Sequence, residues 1–398
     1  MVSFTRLIGL LTALALLSGC ERQDAGPLDQ QLYIWQRQWI PAHEAALRDS
    51  RNDFSTLRVL ALQAFPQVGS SRARIDPQLL KQDGRPLIAV IRLDGQLKAL
   101  DQDQLTAQIL QLLEDWRGLG LTLAGVEIDH DAGNARLPAY AGFLSHLRSA
   151  LPATLPLSIT ALPAWLDSPQ LPALLATVDS SVLQVHAVSD PRRGLFDPQQ
   201  AQRWAKAWGR ISDKPFYLAL PAYGVALLPD AGGAPVVESE VSLERAGERR
   251  ELLADPLQLS ALAKALREDR PAHLAGLIWF RLPLANDRRA WSLTTLRAVA
   301  RGDSLVGKPV LAFSEKSGLY DIHLENPGNL DNPWPARLIV KAQDCEGADA
   351  LAGYALQQTA DLLTFTRLRD GRLPAGGQRA IGWARCANID QGGSHVDP

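Results

Sequence analysis

From Leu32 to about Arg301, short apolar runs alternate with stretches of helical period. The runs are LYIWQRQW (32–39), TLRVLALQAF (56–65), RPLIAVIRL (85–93), LAGVEIDHD (123–131), PLSITAL (156–162), SVLQVHAV (181–188), PFYLALPAY (215–223) and AGLIWFRLP (275–283). Each has the length of a strand. Between them, apolar residues recur every three to four positions, as in the stripe Ile109, Leu112, Leu113 and Trp116. Two such stretches open with Asp-Pro, a helix start with proline in the first turn. Eight strand–helix units of roughly 30 residues predict a (β/α)₈ barrel over residues 32–303. An open doubly wound sheet would carry a glycine-rich turn after its first strand, and none is present. The Gly-, Glu- and Arg-rich stretch 227–253 breaks the rhythm after the seventh strand, and reads as a loop insertion over the active face.

After Arg301 the period changes. Six short alternating strands, separated by Gly, Asn, Asp or Pro, predict an immunoglobulin-like β-sandwich over residues 304–390. Residues 391–398, QGGSHVDP, read as a disordered tail. The fold class is therefore α/β, a TIM-type barrel followed by a small β-sandwich.

The first twenty residues are of another kind. MVSFTRLIGLLTALALLSGC has one cation, Arg6, then an apolar run too short to span a bilayer. Leu17-Ser18-Gly19-Cys20 resembles the lipobox of bacterial lipoproteins. That resemblance implies a signal peptide over 1–19, lipidation of Cys20, a linker over 20–31 and attachment to the cell envelope. Glu21 follows the cysteine where an aspartate favours inner-membrane retention, so the outer membrane facing the periplasm is the expected location. Assigning Cys20 to lipid leaves Cys345 and Cys386, an even pair in an oxidising compartment, as a disulfide. Two lone cysteines do not make a zinc site. A net charge of −2 offers no basic field for nucleic acid.

Catalytic groups of such barrels lie at the C-terminal strand ends. The fourth strand carries Glu127, Asp129 and Asp131, which share one face because strand side chains alternate. Carboxylates two residues apart sit about 6.5–7 Å apart at Cα. Their repulsion raises the pKa of at least one, leaving an acid beside an ionised partner. Acetal cleavage needs such a pair. The other strand ends offer Trp35, Arg37, Trp39, Gln63, Arg92, Gln184, His186, Tyr223, Trp279 and Arg281, with Trp165 nearby. The polar ones suit sugar hydroxyls or the acids' charge, and tryptophan faces suit sugar stacking.

GVEIDHD resembles the D-x-x-D-x-D-x-E signature of chitinase-like glycoside hydrolases. The resemblance gives Asp131 the proton-donor position and Asp129 the third acid position, with Glu127 second. Ala124 replaces the first acid, and Asp131 is one methylene shorter than the family's glutamate. YIWQRQW, GVEIDHDAGNARLPAYAGFLSHLRSALP, LSITALPAWL, VLQVHAV and IWFRLP together resemble a family of bacterial envelope lipoproteins of unknown function, which implies a barrel but no activity. The expected function is that of a lipid-anchored envelope protein that hydrolyses or binds a polysaccharide without a cofactor. Two alternatives are a non-catalytic barrel for a glycan or envelope partner, and a metal-dependent hydrolase or deacetylase using Asp129, Asp131 and His186. H-E-x-x-H, G-x-S-x-G and a complete phosphate loop are absent.

Overall fold

The computed structural model describes residues 26–66, 68–186, 194–228, 236–238, 250–285, 287–351 and 353–397. The expected signal segment and the lipidation residue Cys20 lie outside them. Eight parallel strands form a closed barrel: β1 (Asp29–Ile34), β2 (Thr56–Phe65), β3 (Leu87–Leu93), β4 (Leu123–His130), β5 (Leu157–Ala161), β6 (Ser180–Gln184), β7 (Phe216–Pro221) and β8 (Leu274–Phe280). Each pairs with the next, and β1 pairs with both β2 and β8. A helix follows each strand, from α1 (Ala42–Ser50) through α2 (Pro77–Asp83), α3 (Gln102–Gly118), α4 (Leu137–Ala150), α5 (Leu171–Ala176), α6 (Pro198–Ile211) and α7 (Pro256–Glu268) to α8 (Leu293–Arg301). Side chains cap several starts: Asp101, Asp197 and Ser292 each accept an N–H from the first turn.

The main core lies between strands and helices. Val126 and Ile128 of β4 face it, as alternation predicts, so Glu127 and Asp129 face the barrel interior. Tyr33, Val90, Val182, Ala219 and Ile278 fill the barrel axis.

β1 begins at Asp29, inside the stretch expected as linker, and ends at Ile34 rather than Trp39. Its start pairs with Gly276–Trp279 of β8. The approach is close enough that a Cβ on Gly276 would lie 2.3 Å from the Asp29 carbonyl oxygen. The stretch after β7 forms a three-stranded antiparallel sheet of Gly224–Leu228, Val236–Glu238 and Arg250–Leu253.

The C-terminal part is sandwich-like. One antiparallel sheet holds β9 (Val310–Lys316), β10 (Leu319–Glu325), β11 (Arg337–Ala350), β12 (Tyr354–Gln358), β13 (Leu362–Arg367) and β14 (Gln378–Asp397), in the order β9-β10-β14-β11-β13-β12. A short second sheet pairs Asn332–Pro333 with Arg372–Leu373, and the long strands β11 and β14 pair along their length with bulges between. The expected disordered tail is instead the end of β14. Residues 395–397 pair with Arg337–Ile339, so the strand edge satisfies backbone groups that Gly-Gly-Ser alone would leave to water. Cys345 and Cys386 face each other across β11 and β14 and form the expected disulfide.

Candidate active site

Register builds the site. Gln63, Arg92, Asp129 and Thr160 lie side by side on β2, β3, β4 and β5. All four line a cavity of about 300 Å³ at the C-terminal mouth of the barrel. Asp131, one residue beyond the end of β4, joins them. The opposite wall carries Trp35, Arg37, Gln184, His186, Tyr223 and Arg281. Ten of the expected residues therefore meet at one mouth.

Four expected residues do not. Glu127 is fully buried beneath the cavity. There it pairs with the Arg58 guanidinium and accepts the Tyr33 hydroxyl at 2.6 Å. Trp165 is fully buried, donating its indole N–H to the Ala132 carbonyl at 2.7 Å. Trp279 is also buried, facing outward against Trp291 and donating to Gln30 at 2.8 Å. Alternation on β8 turns Ile278 and Phe280 inward, which puts Trp279 on the helix side. Trp39 lies beyond the strand and stacks on His43.

The sequence reading missed Tyr33, Phe65, Asp94, Thr160, Ala219 and Phe280, which also line the cavity. Tyr33 shares its face with Trp35 and was legible from alternation. Phe65 was harder. An irregularity between Leu60 and Leu62 shifts the β2 register, so the inward positions pass from Arg58 to Gln63 and Phe65. A cis peptide joins Phe280 to Arg281, and both side chains line the cavity.

Arg92 holds the acid pair. One guanidinium nitrogen donates to Asp129 Oδ2 at 2.9 Å and the other to Asp131 Oδ2 at 2.5 Å. Asp129 is only 4% exposed, and its Oδ1 is buried with no hydrogen-bond partner. Burial, opposed by Arg92 and aided by Asp131 and Glu127, pushes its carboxyl up to about 6. The expected raised acid is therefore present, but desolvation rather than mutual repulsion is its main cause. The Asp131 side chain is 37% exposed.

His186 is held down to about 4 by burial, so its ring is neutral at pH 7. It stacks on Phe280 and lies 3.4 Å from the Tyr223 hydroxyl. Arg37 sits over the Phe65 ring, and Arg281 donates to Asp287 at 2.8 Å. The wall thus offers aromatic faces beside hydroxyl, amide and guanidinium donors, a mixture suited to sugar rings. Among the described residues, no group of three or more His, Cys, Asp or Glu side chains is arranged to hold a metal ion. Between Asp129 and Asp131, the cation present is Arg92.

A family model described as domain of unknown function (DUF3142) matches residues 83–285. A second, domain of unknown function (DUF8456), matches residues 310–387. No curated protein matches the chain. Among solved structures it is similar to the Bacillus cereus spore cortex-lytic enzyme SleL (13% identity, TM-score 0.52, 70% of this chain and 75% of that one). It is also similar to a chitinase from Chromobacterium violaceum ATCC 12472 (14%, 0.50, 69% and 98%) and one from Bacteroides thetaiotaomicron (10%, 0.51, 70% and 97%). At these identities the likeness is one of fold: a closed, glycosidase-like barrel.

Proposed function

The chain belongs to the DUF3142 family, and we propose that its barrel binds a polysaccharide at the mouth and hydrolyses a glycosidic bond. One observation carries the reading: a sugar-sized cavity has at its floor a buried carboxyl with a pKa of about 6, two residues from a second carboxyl nearer solvent. Asp129 keeps its proton up to about pH 6. Asp131, nearer solvent, relays it to the leaving oxygen as the C–O bond breaks. Asp129, then ionised, stabilises the cationic sugar carbon until water adds. Glu127 and Arg58 anchor the pair from below. Gln63, Gln184, His186 and Tyr223 hold sugar hydroxyls, and Trp35 and Phe280 face the ring. The proposed setting is the cell envelope, with Cys20 lipidated and the barrel in the periplasm; the lipobox resemblance supports it.

A second reading has one observation in its favour. Arg92 already satisfies an oxygen on each acid, which suits a barrel that binds a glycan without cleaving it. Asp131→Asn separates the two. Hydrolysis predicts that the variant retains glycan binding, while release of reducing ends falls by about 10²–10⁴-fold. No turnover by the unaltered protein on any glycan that it binds supports the binding barrel instead. Turnover abolished by a chelator would point to metal-dependent chemistry.

A further inference from the structure

Outside the cavity, a group of arginines gathers where the barrel meets the C-terminal sheet. Arg379 of β14 lies over the Trp334 ring, 4.1 Å from its centroid. Arg369 borders the same ring: a Cβ on Gly353 would fall 2.7 Å from Arg369 Nε and 3.2 Å from Trp334. Arg288 comes from the barrel, and Arg372 donates to its carbonyl at 3.3 Å and also to that of Ala290. Arg288 and Arg369 are exposed, and neither pairs with a carboxylate among the described residues. Burial, and after it the charges of Arg369 and Arg288, hold the Arg379 guanidinium below its ordinary range. The exposed Arg288 and Arg369 beside Arg379 create a field that attracts an anion.

The cluster is continuous with the mouth. Arg288 follows Asp287, the carboxylate held by Arg281 of the cavity wall. The Arg289 carbonyl accepts the Gly224 N–H, next to the cavity residue Tyr223. A polymer lying in the mouth and leaving on this side would meet Arg288 first, then Arg369 in the turn after β13 and Arg379 of β14.

The geometry points to an acidic polysaccharide, one with carboxylate-bearing sugars, as the ligand, with Arg288, Arg369 and Arg379 as its anchoring platform beyond the cavity. This inference rests on the glycan reading of the barrel. It gives the C-terminal sheet a role: guanidinium groups pair with carboxylates in a planar fork, and a flexible polyanion needs several such points along its length.

The test uses the purified full-length protein, with polygalacturonate as acidic probe and dextran as neutral probe, at several salt concentrations. Arg379 is left intact because it packs on Trp334. Arg288→Gln with Arg369→Gln is expected to weaken polygalacturonate binding about tenfold and flatten its salt dependence. Arg288→Lys with Arg369→Lys is expected to retain most of the binding. Cleavage of short neutral oligosaccharides stays at its original rate in both double variants. Equal affinity for dextran and polygalacturonate, unaffected by the glutamine substitutions, overturns the platform while leaving the barrel's glycan reading intact. Failure to bind or cleave any glycan removes the barrel reading as well. Arginine-dependent binding to phosphatidylglycerol vesicles, without polymer binding, also overturns the inference.

Discussion

At the scale of single residues, two buried carboxylates of one strand meet opposite fates. Glu127 shares its arginine with no other carboxylate among the described residues, and Arg58 also donates to the Gln31 side chain at 2.8 Å. Such a pair is hard to break from one side. Arg58→Met leaves Glu127 without its compensating charge in the barrel interior, and urea unfolding should show a loss of about 3–5 kcal/mol. Asp129 shares its arginine with Asp131 and keeps one oxygen unmatched. Its folded-state pKa of about 6 lies above the ordinary aspartate value of about 4. The proton is thus held more tightly in the folded protein. The stability it contributes is fully present below about pH 4 and is lost as pH rises through 6. Asp129→Asn removes that dependence. The variant should be more stable than the parent at pH 8, by up to about 3 kcal/mol, with the gain vanishing at pH 4. Denaturant melts at the two pH values measure this directly.

At the scale of elements, strand alternation made most of the site legible. The acids of β4, Trp35 on the chain leaving β1, Gln63 on β2 and Arg92 on β3 all follow from period two. It failed where the backbone departs from a regular strand. The irregularity in β2 moves the inward set from even to odd positions, so Arg58 and Gln63 are both inward although they differ in parity. Phe65, two residues beyond Gln63, was passed over because it is apolar and lacks the polar group that marks the other wall residues of β2 and β3. On β8, the inward residue is Phe280, and the better sugar-stacking candidate by composition, Trp279, packs against Trp291. Trp165 is likewise held by a buried hydrogen bond that no spacing announces. The Gly-Gly-Ser tail looked disordered because its partner, the start of β11, lies more than fifty residues away. β11 and β14 also carry the disulfide, which closes a 41-residue separation. Replacing both Cys345 and Cys386 by serine should lower the stability of the C-terminal sheet by about 2–4 kcal/mol, while glycan turnover by the barrel is retained. Thermal melts paired with an activity assay distinguish the two effects.

At the scale of the whole molecule, barrel and sheet are joined through a helix terminus. Asp331 accepts the Ser292 N–H and the Thr295 hydroxyl at the start of α8, and the Ala375 N–H from the sheet side. A carboxylate there also meets the positive end of the helix. Asp331→Ala should split a single calorimetric transition into two, and a single sharp transition in the variant would place the coupling elsewhere. The account as a whole depends on a carboxyl in the mouth that keeps its proton up to about pH 6. Carboxyl ¹³C NMR titration of the protein, with Asp129→Asn to assign the resonance, measures this without knowledge of the sugar. The account predicts an inflection near pH 6 that the substitution removes. An Asp129 resonance that titrates in the ordinary aspartate range, near pH 4, would contradict it.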